Sequence, residues 1–194
     1  MLTEKFDRDK YNITEKFMSA KKANLLSFLV LLPLYIIGVV IYLSQRDYAN
    51  IFATIFKATF LLEIFILMFG IFAVIIIAII AKMILLSVFS EGKIKSVKLK
   101  LIKETQKPYC CLTESIKVWQ YQICLAVYIL IAGIAPYIIA FILGDFLFVL
   151  ASFICAFFAG ADILFFIALF KRKRKAYVLD FEGLMMYRIY EEIK

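Results

Sequence analysis

Four long apolar runs constrain the fold of this chain more than any other feature of its sequence. They are Ala23 to Gln45, Ile64 to Ala81, Val118 to Gly144 and Phe146 to Phe170, and only the last contains a charged residue, Asp162. At 1.5 Å per helical residue, each run can cross a hydrocarbon layer of about 30 Å. Open strands would leave backbone groups unpaired in lipid, which favours helices. The sequence therefore predicts an all-α polytopic membrane protein with four transmembrane helices.

Composition agrees with this class, since 64% of the residues are apolar, more than a soluble domain needs for its core. We predict a single membrane domain over residues 1–194, with helices at about 23–45, 60–90, 118–144 and 146–170. The other parts are an N-terminal segment (1–22), a basic loop (93–117) and a C-terminal tail (171–194). The N-terminal segment mixes apolar and charged residues, which predicts a short interfacial helix or a tail.

The distribution of basic residues predicts the orientation of the spans. Six Lys and Arg residues precede the first span, seven Lys residues lie between Lys93 and Lys117, and five basic residues follow the last span at 171–175. The connection after the first span has only Arg46 and Lys57, and the turn after the third has none. Because cytoplasmic loops carry the excess of Lys and Arg, we expect both termini and the loop between the second and third spans to be cytosolic.

The net charge of +8 does not indicate nucleic-acid binding. The basic residues cluster at the ends of the spans, where anionic lipid head groups attract them. A nucleic-acid partner would instead require a basic soluble face, which this pattern does not predict. The expected partner of these clusters is the lipid bilayer.

The chain contains no histidine, which removes the commonest metal ligand and a frequent proton carrier. Cys110 and Cys111 have no second cysteine pair at zinc-knuckle spacing. We therefore expect no metal site and no cofactor. A Cys110 nucleophile activated by the nearby Lys107 stays an alternative, although no histidine is present to act as its base.

The basic loop alternates apolar and charged side chains. Val97, Leu99 and Leu101 alternate with Lys98 and Lys100, and this period of two is typical of a strand. We predict a small β-strand or hairpin bounded by Gly92 and Pro108. An uncovered edge of such a strand could accept an extended peptide, and the alternative is a basic loop that contacts the membrane.

Two opposite charges occur at similar depth in the second and fourth helices. Asp162 lies nine residues before Lys171, or about 13 Å at helical rise, and Lys82 lies ten residues before Gly92, or about 15 Å. We predict that Lys82 and Asp162 form an ion pair. The alternatives are that Lys82 extends to the interface and that Asp162 is protonated. The small residues Ala156, Ala159, Gly160 and Ala161 predict close helix packing beside Asp162.

Several short motifs occur in a characteristic order: Gly92-Lys93-Ile94-Lys95, Pro108-Tyr109-Cys110 with Glu114, Ala135-Pro136, Gly160-Ala161-Asp162-Ile163-Leu164, and Val178-Leu179-Asp180 with Gly183. From roughly Phe60 onward, the chain resembles the zincin peptidase family of small bacterial membrane proteins. The resemblance implies a bacterial inner-membrane location and a metalloprotease with a site-2-protease-like arrangement. In that family the helix before the loop carries His-Glu-x-x-His, and an aspartate on the last helix could complete the site.

This chain departs from that motif at every functional position. Ala81 and Leu85 replace the two histidine ligands, and Lys82 replaces the glutamate base. We therefore expect no catalytic residues, with Asp162 as a vestigial ligand neutralised by Lys82. The prediction is a catalytically inactive relative that binds or regulates a peptide or a membrane protein, with Val97, Leu99 and Leu101 as its binding strand.

Two other functions stay open from the sequence. One is a small transporter or channel subunit in which Asp162 and Lys82 belong to a polar pathway. The other is a membrane protease or hydrolase that uses non-histidine residues such as Cys110 or Glu114.

Overall fold

Four apolar helical spans make up most of the structure, a computed structural model that describes residues 10–17, 19–45, 60–101, 108–180 and 186–192. The helices are α1 (Ala20–Ser44), α2 (Phe60–Phe89), α3 (Val118–Ile129), α4 (Ala135–Leu143) and α5 (Phe146–Phe170). Within these residues, four stretches are long and apolar enough to cross a membrane: Lys21–Ser44, Leu61–Phe89, Val118–Leu143 and Phe146–Phe170. Four long apolar helices are therefore present at the predicted positions.

The third span is interrupted where the sequence carries Ala135-Pro136. Leu130–Ile134 forms a π-helical segment that joins α3 to α4. Pro136 has no backbone N–H for the carbonyl one turn earlier, so the regular hydrogen-bond ladder cannot continue there.

The chain then reverses between α4 and α5 in a single tight turn. Gly144 adopts a left-handed φ of 71°, and the Asp145 side chain accepts a hydrogen bond from the Leu147 N–H at 2.8 Å.

A four-stranded antiparallel sheet joins the two ends of the described chain. Its strands are β1 (Tyr11–Phe17), β4 (Ile116–Lys117), β5 (Tyr177–Asp180) and β6 (Met186–Glu192), in the order β1-β6-β5-β4. The β1–β6 register runs from Tyr11 opposite Glu192 to Phe17 opposite Met186, and Arg188 forms an ion pair with Glu15 across it.

This sheet extends one expectation and corrects another. The four long apolar helices and a small strand element are present as predicted, but the all-α description leaves out this second sheet. The N-terminal segment is neither an interfacial helix nor a tail over Tyr11–Phe17, since β1 pairs there with β6. The pairing partners are far apart in the sequence, so no local pattern shows them. The assignment of the sheet to the cytosolic side stays a prediction.

The basic loop contains the predicted small strand element. A 3₁₀ turn at Lys93–Ser96 leads into β2 (Val97–Leu101), which pairs antiparallel with β3 (Pro108–Leu112). Val97 opposes Leu112, and Leu101 opposes Pro108.

The helix α5 lies at the centre of the bundle and packs against each of the other helices. A side chain at Gly160 would collide with Ser27 of α1, so this glycine permits close approach of the two helices. Large apolar side chains of α1 and α2 point outward, including Leu25 and Phe69, which are 63% and 76% exposed. Such surfaces suit contact with a lipid bilayer, and the chain has the architecture of a multi-pass membrane protein.

Candidate functional site

A buried ion pair joins α2 to α5. Lys82 Nζ lies 2.5 Å from Asp162 Oδ1, and the two residues are only 2% and 8% exposed. Lys82 lies on the buried face of α2, one turn from both Ala78 and Leu86, which are fully buried. The predicted ion pair between Lys82 and Asp162 is thus present in the structure.

Two aromatic rings complete the surroundings of the Lys82 ammonium. Its nitrogen lies 5.2 Å from the ring centroid of Tyr128 on α3 and 5.6 Å from that of Tyr109 on β3. Both distances lie within the range of about 6 Å in which a ring face attracts a cation. The ammonium is therefore bound by one carboxylate and two π faces, contributed by α5, α3 and β3.

The other positions of the altered motif contribute no ligands. Ala81 and Leu85 lie on α2 beside Lys82 and are half-buried, and Leu85 packs against the apolar core. Neither side chain has a lone pair, and the zinc ion of such a site needs three protein ligands. Among the residues that the structure describes, no three His, Cys, Asp or Glu side chains are grouped so that they could hold a metal ion. The residues around Asp162 therefore do not fit the zinc site that the resemblance implies.

A second buried carboxylate, Asp180 at the end of β5, lies close to this pair. It is 6% exposed, and its Oδ2 accepts hydrogen bonds from the Tyr109 hydroxyl and, at 3.0 Å, from the Tyr121 hydroxyl. Burial raises the pKa of the Asp180 carboxyl to about 7, although both hydrogen bonds and the Lys82 charge favour its ionised form. Burial and the Asp180 charge raise the pKa of Tyr109 well above its ordinary value.

Tyr109 lies between the Lys82–Asp162 ion pair and Asp180. Its ring faces Lys82, while its hydroxyl donates to Asp180. The sequence pointed to Asp162 as the buried carboxylate but gave no local signal for the burial of Asp180. Its partners, Tyr109 and Tyr121, are distant in the sequence.

Of the two residues of the hydrolase alternative, Cys110 is buried and Glu114 accepts a backbone hydrogen bond. Burial raises the pKa of the Cys110 thiol to about 11, although the Lys82 charge acts in the opposite direction. Glu114 Oε2 accepts a hydrogen bond from the Gly92 N–H at 2.9 Å. This bond joins the turn after β3 to the chain that follows α2. Lys107, the expected activator of Cys110, lies outside the described residues.

The predicted binding strand has one buried and two exposed apolar side chains. Val97 is 8% exposed, whereas Leu99 and Leu101 are 53% and 63% exposed. Within the described part of the chain, β2 has one strand neighbour, β3.

Comparison of the chain with protein-family models, with curated proteins and with solved structures gave no match.

Proposed function

We propose that this protein is a catalytically inactive, membrane-embedded binding protein that resembles zincin peptidases and captures a peptide or membrane-protein segment. The observation that carries the proposal is the Lys82–Asp162 pair, with its nitrogen–oxygen distance of 2.5 Å. In the family that the chain resembles, the zinc-binding motif lies on α2 at the position of Lys82.

The chemistry of the altered motif supports a loss of hydrolysis. In a metalloprotease, a zinc ion and a glutamate base together generate the attacking hydroxide. Here Lys82 is a cation in place of the base, and it supplies the positive charge that Asp162 requires. The former catalytic centre then acts as a contact that holds α2 against α5.

The exposed edge of β2 supports the binding part of the proposal. Leu99 and Leu101 project from the same side of a strand whose edge is uncovered among the described residues. An extended segment paired there gains main-chain hydrogen bonds, and its alternate apolar side chains can contact these leucines.

Metal analysis of the purified protein tests the catalytic part. We expect no stoichiometric zinc in the native chain. A triple variant with Ala81→His, Lys82→Glu and Leu85→His serves as the positive control, and we expect it to bind about one zinc ion per chain. Stoichiometric zinc in the native chain, or peptide cleavage by it, would contradict the proposal.

Photocrosslinking tests the binding part. A photoreactive residue at Leu99 should form one discrete adduct in native membranes, and the matched control at the buried Val97 should form none. An identical adduct pattern from both positions, or no adduct from Leu99, would argue against a binding edge at β2.

A second candidate function is a small transporter or channel subunit. It is favoured by the position of Tyr109, which contacts both Lys82 and Asp180. An ion pair, a cation–π contact and a hydrogen bond connect Asp162, Lys82, Tyr109 and Asp180 in series, from α5 into β5. Proton flux across vesicles that contain the protein, abolished by Asp162→Asn, would support this function over the binding protein.

A further inference from the structure

A groove of about 720 Å³ lies on the outward side of α2 near its C-terminal end. Ile80, Ile84 and Val88 form its apolar wall, and they are 49%, 58% and 70% exposed. Ser90, Lys93 and the exposed Ile94 line its other part, beyond the last residue of the candidate span, Phe89. The groove thus acquires a cationic side chain just past the end of that span.

The backbone holds Lys93 in an unusual conformation. Its φ is 52°, in the left-handed region that favours glycine. Two hydrogen bonds maintain this turn: the Ser90 hydroxyl donates to the Lys93 carbonyl at 3.0 Å, and the Lys93 N–H donates to the Ser90 carbonyl at 3.2 Å. The turn therefore orders the base of a charged side chain at a position where glycine would be less strained.

Lys93 is available for an anionic ligand. Its side chain is exposed, and Lys93 is not part of the Lys82–Asp162, Arg172–Glu191 or Arg188–Glu15 ion pairs. A soluble anion could bind the ammonium but would leave the apolar wall unused, and a neutral hydrocarbon would leave the charge unused. Only an amphipathic anion matches both ends of the groove.

We propose that the groove binds one anionic phospholipid. Its phosphate is bound by Lys93, and one acyl chain lies along Ile80, Ile84 and Val88. The depth of each part agrees with this assignment, because the apolar wall belongs to the span and Lys93 lies just beyond its end, at head-group level.

Native mass spectrometry of the full chain, extracted from vesicles of equal phosphatidylglycerol and phosphatidylcholine content, tests the proposal. We expect one retained phosphatidylglycerol per chain in preference to phosphatidylcholine. Lys93→Gly suits the left-handed backbone and should fold normally, yet it should lower this preference about fivefold, the effect of one lysine near an anionic surface.

Two further variants distinguish a specific lipid-binding site from general electrostatic attraction to anionic lipids. Val88→Trp fills the groove at an exposed position without a change of charge and should also lower phosphatidylglycerol retention. Lys95→Gln removes an equal charge from the same turn, but Lys95 does not line the groove, so retention should be unchanged.

Three results would overturn the proposal. They are equal retention of both lipids by the native chain, an equal loss in Lys95→Gln and Lys93→Gly, and full displacement of the lipid by millimolar inorganic phosphate with no effect of Val88→Trp. The last result would indicate a site for a free anion.

Discussion

Asp162 and Asp180 are both buried carboxylates, but the protein stabilises them by different means. Asp162, inside a span, contacts the ammonium of Lys82. Asp180, outside the spans, accepts hydrogen bonds from two neutral phenols, Tyr109 and Tyr121. A cation neutralises the carboxylate charge, whereas neutral donors only solvate it. Burial raises the pKa of Asp180 to about 7, against the effect of its two hydrogen bonds. One buried carboxylate is thus stabilised mainly by a cation and the other mainly by neutral donors.

Removal of the cation from the first site should have the largest effect. We expect Lys82→Met to lower the free energy of unfolding by about 3–5 kcal/mol, because it leaves Asp162 buried and unpaired. The double variant Lys82→Met/Asp162→Leu should recover most of this loss. Fluorescence of Trp119, the only tryptophan, can follow unfolding in detergent micelles. Single-variant costs below about 1 kcal/mol that simply add in the double variant would contradict a coupled pair.

The second site should give a pH-dependent stability. The pKa of Asp180 rises from 3.8 to about 7 on folding, so the folded protein binds more protons than the unfolded chain between these values. The stabilising contribution of the protonated form is complete below 3.8 and is lost as the pH rises through 7. We expect the free energy of unfolding to fall by about 1.4 kcal/mol per pH unit in this window.

Asp180→Asn is the matched variant for that measurement. Its amide oxygen still accepts hydrogen bonds from Tyr109 and Tyr121 but cannot ionise. Unfolding titrations from pH 5 to pH 8 should therefore show a weaker pH dependence and a more stable protein at pH 8. An unchanged slope would show that another group causes the pH dependence.

The smallest effect should come from the residue that connects the two sites. Tyr109→Phe keeps the ring near Lys82 but removes one donor to Asp180, which should cost about 1.5 kcal/mol at pH 8. The cost should be smaller at pH 5, where Asp180 is protonated. Tyr128→Phe serves as the control, because it also keeps a ring near Lys82 and has no hydrogen bond with Asp180 among the described contacts. Equal losses for the two variants would argue against a specific role of the Tyr109 hydroxyl.

The spans and the Lys82–Asp162 pairing were within reach of the sequence for physical reasons. An apolar run fixes the depth of each helix, so two charges can be compared by residue count and helical rise alone. The alternation of Val97, Leu99 and Leu101 likewise depends only on neighbours within the strand.

Asp180 and the four-stranded sheet required information that no local pattern carries. The strand β1 mixes charged, polar and apolar residues, and its partner β6 lies at the opposite end of the described chain. The burial of Asp180 depends on Tyr109 and Tyr121, which β3 and α3 contribute. Non-local pairing of this kind appears only when the chain is folded.

The β1–β6 pairing also constrains the order of biogenesis. Tyr11 pairs with Glu192, so this ladder cannot close until the ribosome has synthesised residue 192, after all four hydrophobic helices. Tyr11–Phe17 must therefore remain without β6 throughout translation of the helices. Pairing of β1 with β6 is therefore a late folding step, possible only after synthesis of the last helix.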